Sequence, residues 1–186
     1  MAEQLYFAYG SNMNLDQMEF RCPAAAVKEN VRLDGYRLAF CGRHPGCGVA
    51  TIMPEKGSHV DGVLWKITPK CEHSLDRYEG YPHLYGKEAV CVQNEEGESM
   101  TVMVYIMKEN HTICTSAPSQ VYLKGILEGC RQNGIPMKNV KAAVHRARVE
   151  ERAKLKKEET ARMRASCDGE KTGRQSDRNR KNSRER

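Results

Sequence analysis

The carboxyl group of Glu79 is the first group in this sequence that could do chemistry. It lies in the segment SLDRYEGYP, residues 74–82, between a predicted helix and a Gly-Tyr-Pro turn, with tyrosines on both sides. Aromatic neighbours offer an apolar setting, which raises the pKa of a carboxyl group towards neutrality and suits it to proton transfer. The helix dipole disfavours a glutamate at a helix C-terminus, so a functional role would explain why a glutamate occurs there. We interpret Glu79 as a candidate general acid and base; an ordinary helix-ending acid is the alternative.

A second candidate is the N-terminal turn, in the run LYFAYGSNM over residues 5–13. The apolar and aromatic part stops at Gly10, Ser11 and Asn12, residue types typical of turns and caps. A helix is predicted to follow over residues 14–21, with Asn12 or Asn14 as its N-cap. The free backbone N–H groups at such a junction can hold a carboxylate or a developing oxyanion. A plain turn is the alternative interpretation.

Other kinds of active site find little support. Cys41, His44 and Cys47 have C-x2-H-x2-C spacing, which could contribute to a zinc site, but no second Cys/His pair of comparable spacing follows. A glycine-rich connecting loop is the favoured interpretation, and we predict no metal and no cofactor. The sequence lacks GxSxG, GxGxxG and GxxxxGK[ST] motifs, which disfavours serine hydrolase, dinucleotide and nucleotide triphosphate chemistry. What remains is proton transfer on a substrate that carries its own nucleophile.

The elements that must position these groups form an α+β pattern. Strands are predicted over residues 5–9, 31–41, 49–53, 59–67, 87–93 and 100–107, the last two joined as a hairpin. Thr68 and Pro69 begin a helix over residues 70–78, and Pro118 begins another that runs to residue 132 and is closed by Gly134. Val121, Ile126 and Leu127 are available to the core. Mostly antiparallel strands with helices packed outside them predict one α+β domain.

Length and composition indicate how many domains the chain can form and in which cellular compartment it is expected. The chain has 186 residues, 39% of them hydrophobic, which is enough for one domain with a real core and a tail. No apolar run approaches the ~20 residues of a membrane span, and no signal-peptide pattern is present, so we expect a cytoplasmic protein and no membrane partner. The eight cysteines form no CxxC pair, and Cys91, Cys114 and Cys130 are expected to be small buried hydrophobes.

The positive charge of the chain belongs to its C-terminal part. Residues 138–186 hold 17 Lys and Arg against 8 Asp and Glu, whereas residues 1–137 are slightly acidic. Val140, Val144 and Ala147 extend a helical apolar stripe for two turns. We predict a folded domain over residues 1–137, a charged helical extension over 138–165 and a disordered basic tail over 166–186. A solvated tail is favoured over nucleic acid binding, because the tail lacks aromatic residues that could stack on bases.

Taken in order, five segments resemble the γ-glutamylcyclotransferase family, in the superfamily that includes AIG2-like proteins. They are YFAYGSNM (6–13), GVATI (48–52), VDGVLWKI (60–67), LDRYEGYP (75–82) and PSQVY (118–122). The resemblance spans about residues 5–137 and offers no role for the basic extension. It implies a small, mixed β-barrel-like fold with peripheral helices.

The resemblance also implies an activity and a set of residues. Family members convert a γ-glutamyl amide to 5-oxoproline and a free amine or amino acid, and the acid of the E-G pair, here Glu79, accepts and donates the proton. The family's substrate-binding loop matches the segment Tyr6, Phe7, Ala8, Tyr9, Gly10, Ser11 and Asn12. Tyr122 matches a substrate-contacting tyrosine of the family. Tyr85 matches a further site residue, in a stretch where the spacing after the E-G pair varies among members. No cofactor is implied.

Two alternatives stay open at this stage. The enzyme could remove a γ-glutamyl group from a larger biosynthetic intermediate, or the chain could be a binding module that has lost activity. The presence of Glu79 argues against the second alternative, because a pocket that only binds has no need of a proton shuttle. The sequence does not choose between γ-glutamyl-amino acids, γ-glutamylamines and glutathione, and it does not set the oligomeric state.

Overall fold

A closed barrel of five strands forms the centre of the molecule, which we describe from a computed structural model covering residues 4–112 and 114–182, with side chains to residue 163. The strands are β1 (Gln4–Ala8), β2 (Ala26–Cys41), β3 (Val49–Ile67), β4 (Tyr85–Asn94) and β5 (Ser99–Met107). Their order around the barrel is β1-β3-β2-β4-β5, and a parallel pairing of β1 with β5 closes it. The helices are α1 (Leu15–Arg21), α2 (Pro69–Glu79), α3 (Glu109–Thr112), α4 (Gln120–Asn133) and α5 (Lys138–Asn182). The predicted α+β class and barrel-like fold are confirmed.

The long hairpin β2–β3 differs from the sequence prediction. Residues 49–53 and 59–67 were expected to be separate strands, but β3 is continuous, and Tyr36 of β2 pairs with Pro54. The register shifts between Asp34 and Tyr36, and Gly57 adopts φ +82°. A local irregularity of this kind accommodates a proline and a positive φ inside a strand that stays paired on both sides. The barrel therefore has one fewer strand than predicted.

The helices begin and end close to where their capping residues predict. The Asn14 side chain accepts from the Gln17 amide at 3.0 Å and begins α1, and Thr68 accepts from the Cys71 amide at 3.2 Å and begins α2. Gly80 ends α2 in the left-handed conformation. Helix α4 begins slightly later than predicted, because Ser119 and not the residue before it is the N-cap.

The core fills the barrel and the space beneath its helices. Ile126 of α4 and Leu75 of α2 are fully buried, and Val140, Val144 and Ala147 form the predicted apolar stripe at the start of α5. Two expectations are wrong: Val121 is 85% exposed, because it lies in the first turn of α4 on the face away from the barrel, and Cys91 is exposed on β4. Cys130 is buried as predicted, whereas Cys114 is half-buried.

The chain divides into two compact units, Met1–Arg148 and Val149–Arg186. Helix α5 is assigned through Asn182, although disorder was predicted from residue 166. The division at residues 137 and 165 stays a prediction, and its last part, 183–186, lies outside the described residues. In the described part of the chain, no helix is long and apolar enough to cross a membrane.

Candidate active site

A cavity of about 240 Å³ opens where β1 ends, between the C-terminus of α2 and the N-terminus of α4. Six tyrosines and one ionisable carboxyl group dominate its wall. The lining residues are Tyr6, Tyr9, Gly10, Ser11, Asn12, Val49, Ala50, Tyr78, Glu79, Leu84, Tyr85, Tyr105 and Tyr122. Arginine, lysine and histidine are absent from this described lining, so a bound anion would have to rely on neutral donors.

The structure brings most of the predicted site residues together. Glu79 meets Tyr6, Tyr9, Gly10, Ser11, Asn12, Tyr85 and Tyr122 around this one cavity, although up to 116 residues separate them in the sequence. Phe7 and Ala8 do not line it. Both are buried in β1, where they pair with Leu64 and Val63 of β3, so they fix the strand that presents the cavity-lining residues beside them.

Glu79 is the last residue of α2, and its carboxyl group faces the cavity. Asn12 Nδ2 donates to Glu79 Oε1 at 2.9 Å and also to the hydroxyl of Tyr6 at 2.8 Å. Burial raises the pKa of Glu79 to about 7, against the lowering effects of the nearby Arg21 charge and the Asn12 hydrogen bond. A carboxyl group with this pKa exchanges its proton near neutral pH, which suits a general acid and base.

Arg21, the last residue of α1, supports this arrangement from outside the cavity. Its Nη1 donates to Asn12 Oδ1 at 2.5 Å and to Ser11 Oγ at 3.2 Å. Its Nη2 donates to the Tyr78 hydroxyl at 2.6 Å and to Gln17 Oε1 at 2.7 Å. Arg21 therefore joins α1, the turn and the end of α2.

Three tyrosines are fixed by bonds to the backbone. Tyr85 donates to the carbonyl oxygen of Ala50 at 2.5 Å, the hydroxyl of Tyr122 accepts from the Ala50 amide at 3.2 Å, and Tyr9 donates to the carbonyl oxygen of Tyr105 at 2.6 Å. Burial raises the pKa of each of the three phenols, so they are neutral at physiological pH. These three side chains are therefore held by the backbone, and Glu79 is the ionisable carboxyl group of the described cavity wall.

The turn after β1 leaves a row of backbone donors at the cavity. Ser11–Met13 is a single 3-10 turn, in which the Met13 and Asn14 amides bond to the carbonyl oxygens of Gly10 and Ser11 at 3.0 and 3.1 Å. Within the described residues, the amides of Gly10, Ser11 and Asn12 have no intramolecular acceptor. These are the free backbone donors expected from the Gly-Ser-Asn junction. Of the two N-cap candidates, Asn14 and not Asn12 caps the helix that follows.

Helix α4 supports the turn at close range. A Cβ atom on Gly129 would lie 2.7 Å from the amide nitrogen of Asn14, so only glycine permits this approach. The Asn133 side chain donates to the Met13 carbonyl oxygen at 2.8 Å, and the Leu15 amide donates to Gln132 Oε1 at 2.8 Å. This packing fixes the turn relative to Tyr122 on the same helix.

Sequence reasoning missed Arg21, Tyr78 and Tyr105 as parts of the site. Tyr78 precedes Glu79, so its proximity could have been read from the sequence. Tyr105 is the only aromatic residue of β5, and its hydroxyl donates to Asp76 Oδ1 at 2.7 Å. No local pattern shows that the side chain of Arg21 reaches back to Asn12, and its bond to Tyr78 depends on how α1 packs against α2.

The Cys41–Cys47 loop gives no metal site among the side chains described. Cys41 is buried, Cys47 is exposed, and no group of three potential ligands is found in the described part of the chain. The His44 backbone is held within the loop, where its carbonyl oxygen accepts from the Cys47 amide at 3.2 Å and from Ser116 Oγ at 2.8 Å.

Comparison with known proteins points to one family. The profile of the family described as "Gamma-glutamyl cyclotransferase, AIG2-like" matches residues 6–124, the interval from Tyr6 to just past Tyr122. The sequence is 36% identical over 141 residues to the Homo sapiens protein named γ-glutamylcyclotransferase and 35% identical to that of Bos taurus, covering 72% of this chain and 73% of each relative. A solved γ-glutamyl cyclotransferase structure superimposes with a TM-score of 0.68 at 32% identity, covering 76% of this chain and 86% of that chain.

Proposed function

This chain belongs to the γ-glutamyl cyclotransferase, AIG2-like family, and from that premise we propose that it is an enzyme that converts a γ-glutamyl amide to 5-oxoproline and a free amine or amino acid. The observation that carries the finer proposal is the placement of the Glu79 carboxyl group, which faces the cavity with a pKa of about 7 and a fixed donor on one oxygen. We assign Glu79 as the general acid and base.

The reaction needs a substrate that supplies its own nucleophile. The α-amine nitrogen of the γ-glutamyl group attacks the γ-carbonyl carbon, a C–N bond forms to close the five-membered ring, and the bond to the leaving nitrogen breaks. Starting from the α-ammonium form, the attacking nitrogen loses two protons in becoming the ring N–H, and the leaving nitrogen gains two in becoming the product ammonium group, so the reaction is balanced without water. Effective molarities of about 10⁵–10⁸ M are known for well-oriented intramolecular reactions. Holding the substrate in a folded conformation therefore supplies much of the acceleration.

Glu79 is suited to both proton transfers. An α-ammonium group has a pKa of about 8 in solution, close to the value near 7 of this carboxyl group, so proton transfer between them is nearly balanced. The same carboxyl group, once protonated, can donate to the leaving nitrogen. General acid–base help of this kind contributes about 10²–10⁴-fold.

The turn and the tyrosines supply the substrate-binding groups. We assign the amides of Gly10, Ser11 and Asn12 to an anionic oxygen of the substrate, since they lack acceptors in the described structure and lie beside the cavity. Removing one such donor from an oxyanion site costs about 2.7–4 kcal/mol where it has been measured. Tyr6, Tyr85 and Tyr122 surround the space with neutral hydroxyl groups.

A screen for product tests the proposed function. Purified protein is incubated with a panel of γ-glutamyl-amino acids, γ-glutamylamines and glutathione, and 5-oxoproline and the released amine are quantified by mass spectrometry. We expect equimolar release of both products from at least one class. Glutamate release without 5-oxoproline would indicate hydrolysis instead, and the absence of turnover across the panel would contradict the proposal.

A further inference from the structure

The side-chain amide of Asn12 lies between a group that only donates and a group that accepts. Arg21 Nη1 is 2.5 Å from one end of the amide, and Glu79 Oε1 is 2.9 Å from the other. A guanidinium group has no acceptor, so the amide atom beside it must be oxygen. The NH₂ group is then directed at Glu79 and at the hydroxyl of Tyr6.

We propose that Arg21 is a positioning residue for the cyclisation: its guanidinium holds the Asn12 amide in the orientation that presents N–H to Glu79, and ties Tyr78 to the same turn. This inference rests on the proposed function, because it concerns how the same carboxyl group is prepared. Arg21 does not line the cavity in the described structure, so it acts through Asn12 and Tyr78.

The contact with Tyr78 extends the same support to α2. The guanidinium carbon of Arg21 lies 3.6 Å from the centre of the Tyr78 ring, and Nη2 donates to the Tyr78 hydroxyl at 2.6 Å. Tyr78 immediately precedes Glu79 in the last turn of α2. A planar guanidinium can bond to the turn and to α2 at once, whereas a lysine ammonium is a single point charge on a flexible chain.

Among the side chains that the structure describes, few charged groups interact with Glu79, so the effect of the Arg21 charge can be measured apart from that of other charges. The titratable groups that interact with the Glu79 carboxyl are Arg21 of α1, Tyr6 of β1 with Tyr9 just after it, Tyr85 of β4 and Tyr122 of α4. Burial raises the pKa of these four phenols, which leaves Arg21 as the charged member of the set.

Loss of Arg21 has two consequences that differ in kind. Without the guanidinium the Asn12 amide is free to turn, and its oxygen beside Glu79 favours the protonated acid. Removal of the positive charge also favours the protonated acid. Both effects move the acid limb of the pH–rate profile to higher pH, but only the turned amide lowers the rate on the plateau above that limb.

A double-mutant cycle separates positioning from charge. Arg21→Met, Arg21→Lys, Asn12→Ala and the Arg21→Met/Asn12→Ala pair are compared with the wild type for kcat, KM and pH profile of 5-oxoproline release. We expect Arg21→Met and Asn12→Ala each to lower plateau kcat about tenfold, the size of one charge-assisted hydrogen bond, and the pair to lose little more than either alone. Arg21→Lys should reverse only the part of the acid-limb shift that is due to charge, and should not restore plateau kcat.

Three results would overturn the proposal: losses that multiply in the pair, full activity in Arg21→Lys, or an unmoved acid limb in Arg21→Met. If Arg21→Met does not fold, Arg21→Lys and its pair with Asn12→Ala give the same comparison. Arg77→Lys, an exposed position on α2, is the matched control and should behave as the wild type. Glu79→Gln is assayed alongside: full turnover there contradicts the proposed function, whereas loss there with multiplicative losses in the cycle contradicts only the role of Arg21.

Discussion

The pH dependence of the reaction tests the raised pKa of Glu79. The base must be ionised to accept a proton from the substrate ammonium, so activity should fall as pH decreases through about 7. With that pKa, about 90% of the carboxyl groups are ionised at pH 8 and about 10% at pH 6; because about half of the substrate amine has already lost its proton at pH 8, the predicted fall in kcat/KM between the two values is about fivefold. A glutamate with the ordinary pKa of about 4.3 would be almost fully ionised at both values and would give no such fall.

The assay is kcat/KM for 5-oxoproline release from pH 5 to 9 at constant ionic strength. The substrate ammonium group, with a pKa of about 8, adds an alkaline limb, and substrates with different amine pKa values should move that limb alone. An acid limb below pH 5.5, or one that follows the amine pKa of the substrate, would refute the assignment of the acid limb to Glu79.

The remaining predictions concern stability, the turn and the tail. The pKa of Glu79 is higher in the folded than in the unfolded protein, so ionising Glu79 destabilises the fold above pH 7, whereas below pH 4.5 the group is protonated in both states and has no such effect. Glu79→Gln should therefore raise Tm at pH 8.5 and leave it unchanged at pH 4. A Cβ on Gly10 would lie 3.2 Å from Ala50 Cβ and 3.6 Å from the Tyr122 hydroxyl, so Gly10→Val should raise KM about tenfold or more by overpacking the cavity wall. Ending the chain after Arg152, just beyond the unit Met1–Arg148, should leave kcat/KM within about twofold, since a solvated charged segment contributes little to the site.

Each of these has a contradicting result. Equal Tm shifts for Glu79→Gln at the two pH values would mean that ionisation of the carboxyl group is not the cause. An unchanged KM in a folded Gly10→Val protein would make the turn merely structural. A large loss of activity in the shortened chain would give the C-terminal extension a part in catalysis that its charge pattern does not indicate.

The sequence predicted local structure where one residue type decides it. Thr68 and Gly134 cap their helices as predicted, and Asn14, one of the two predicted N-cap candidates, caps α1. The predicted strand boundaries were wrong where pairing with a neighbouring strand sets them. A strand was predicted to end before Pro54, but β3 stays paired with β2 on both sides of it. Local propensity cannot show that a partner strand remains in register on the far side of an irregularity.

The same distinction holds for the site. Glu79 and the Gly10–Asn12 turn could be selected from the sequence because their residue types and flanking turns already limit the chemistry. Arg21 could not, because its importance arises from two contacts that no local pattern shows: one back to the oxygen of Asn12 in the preceding turn and one across to Tyr78 on α2. Tyr105 was missed for a similar reason, since it reaches the cavity through barrel closure.

The turnover of Glu79→Gln tests the role of Glu79 as proton shuttle, because glutamine keeps the shape of the side chain and removes the ionisable group. With γ-glutamyl-alanine as substrate at pH 8, we expect kcat for 5-oxoproline release to fall about 10²–10⁴-fold while KM changes little. Glu88→Gln, at an exposed carboxylate on β4, is the matched control and should keep wild-type activity. Near wild-type turnover by Glu79→Gln would show that Glu79 is not the group that transfers the proton.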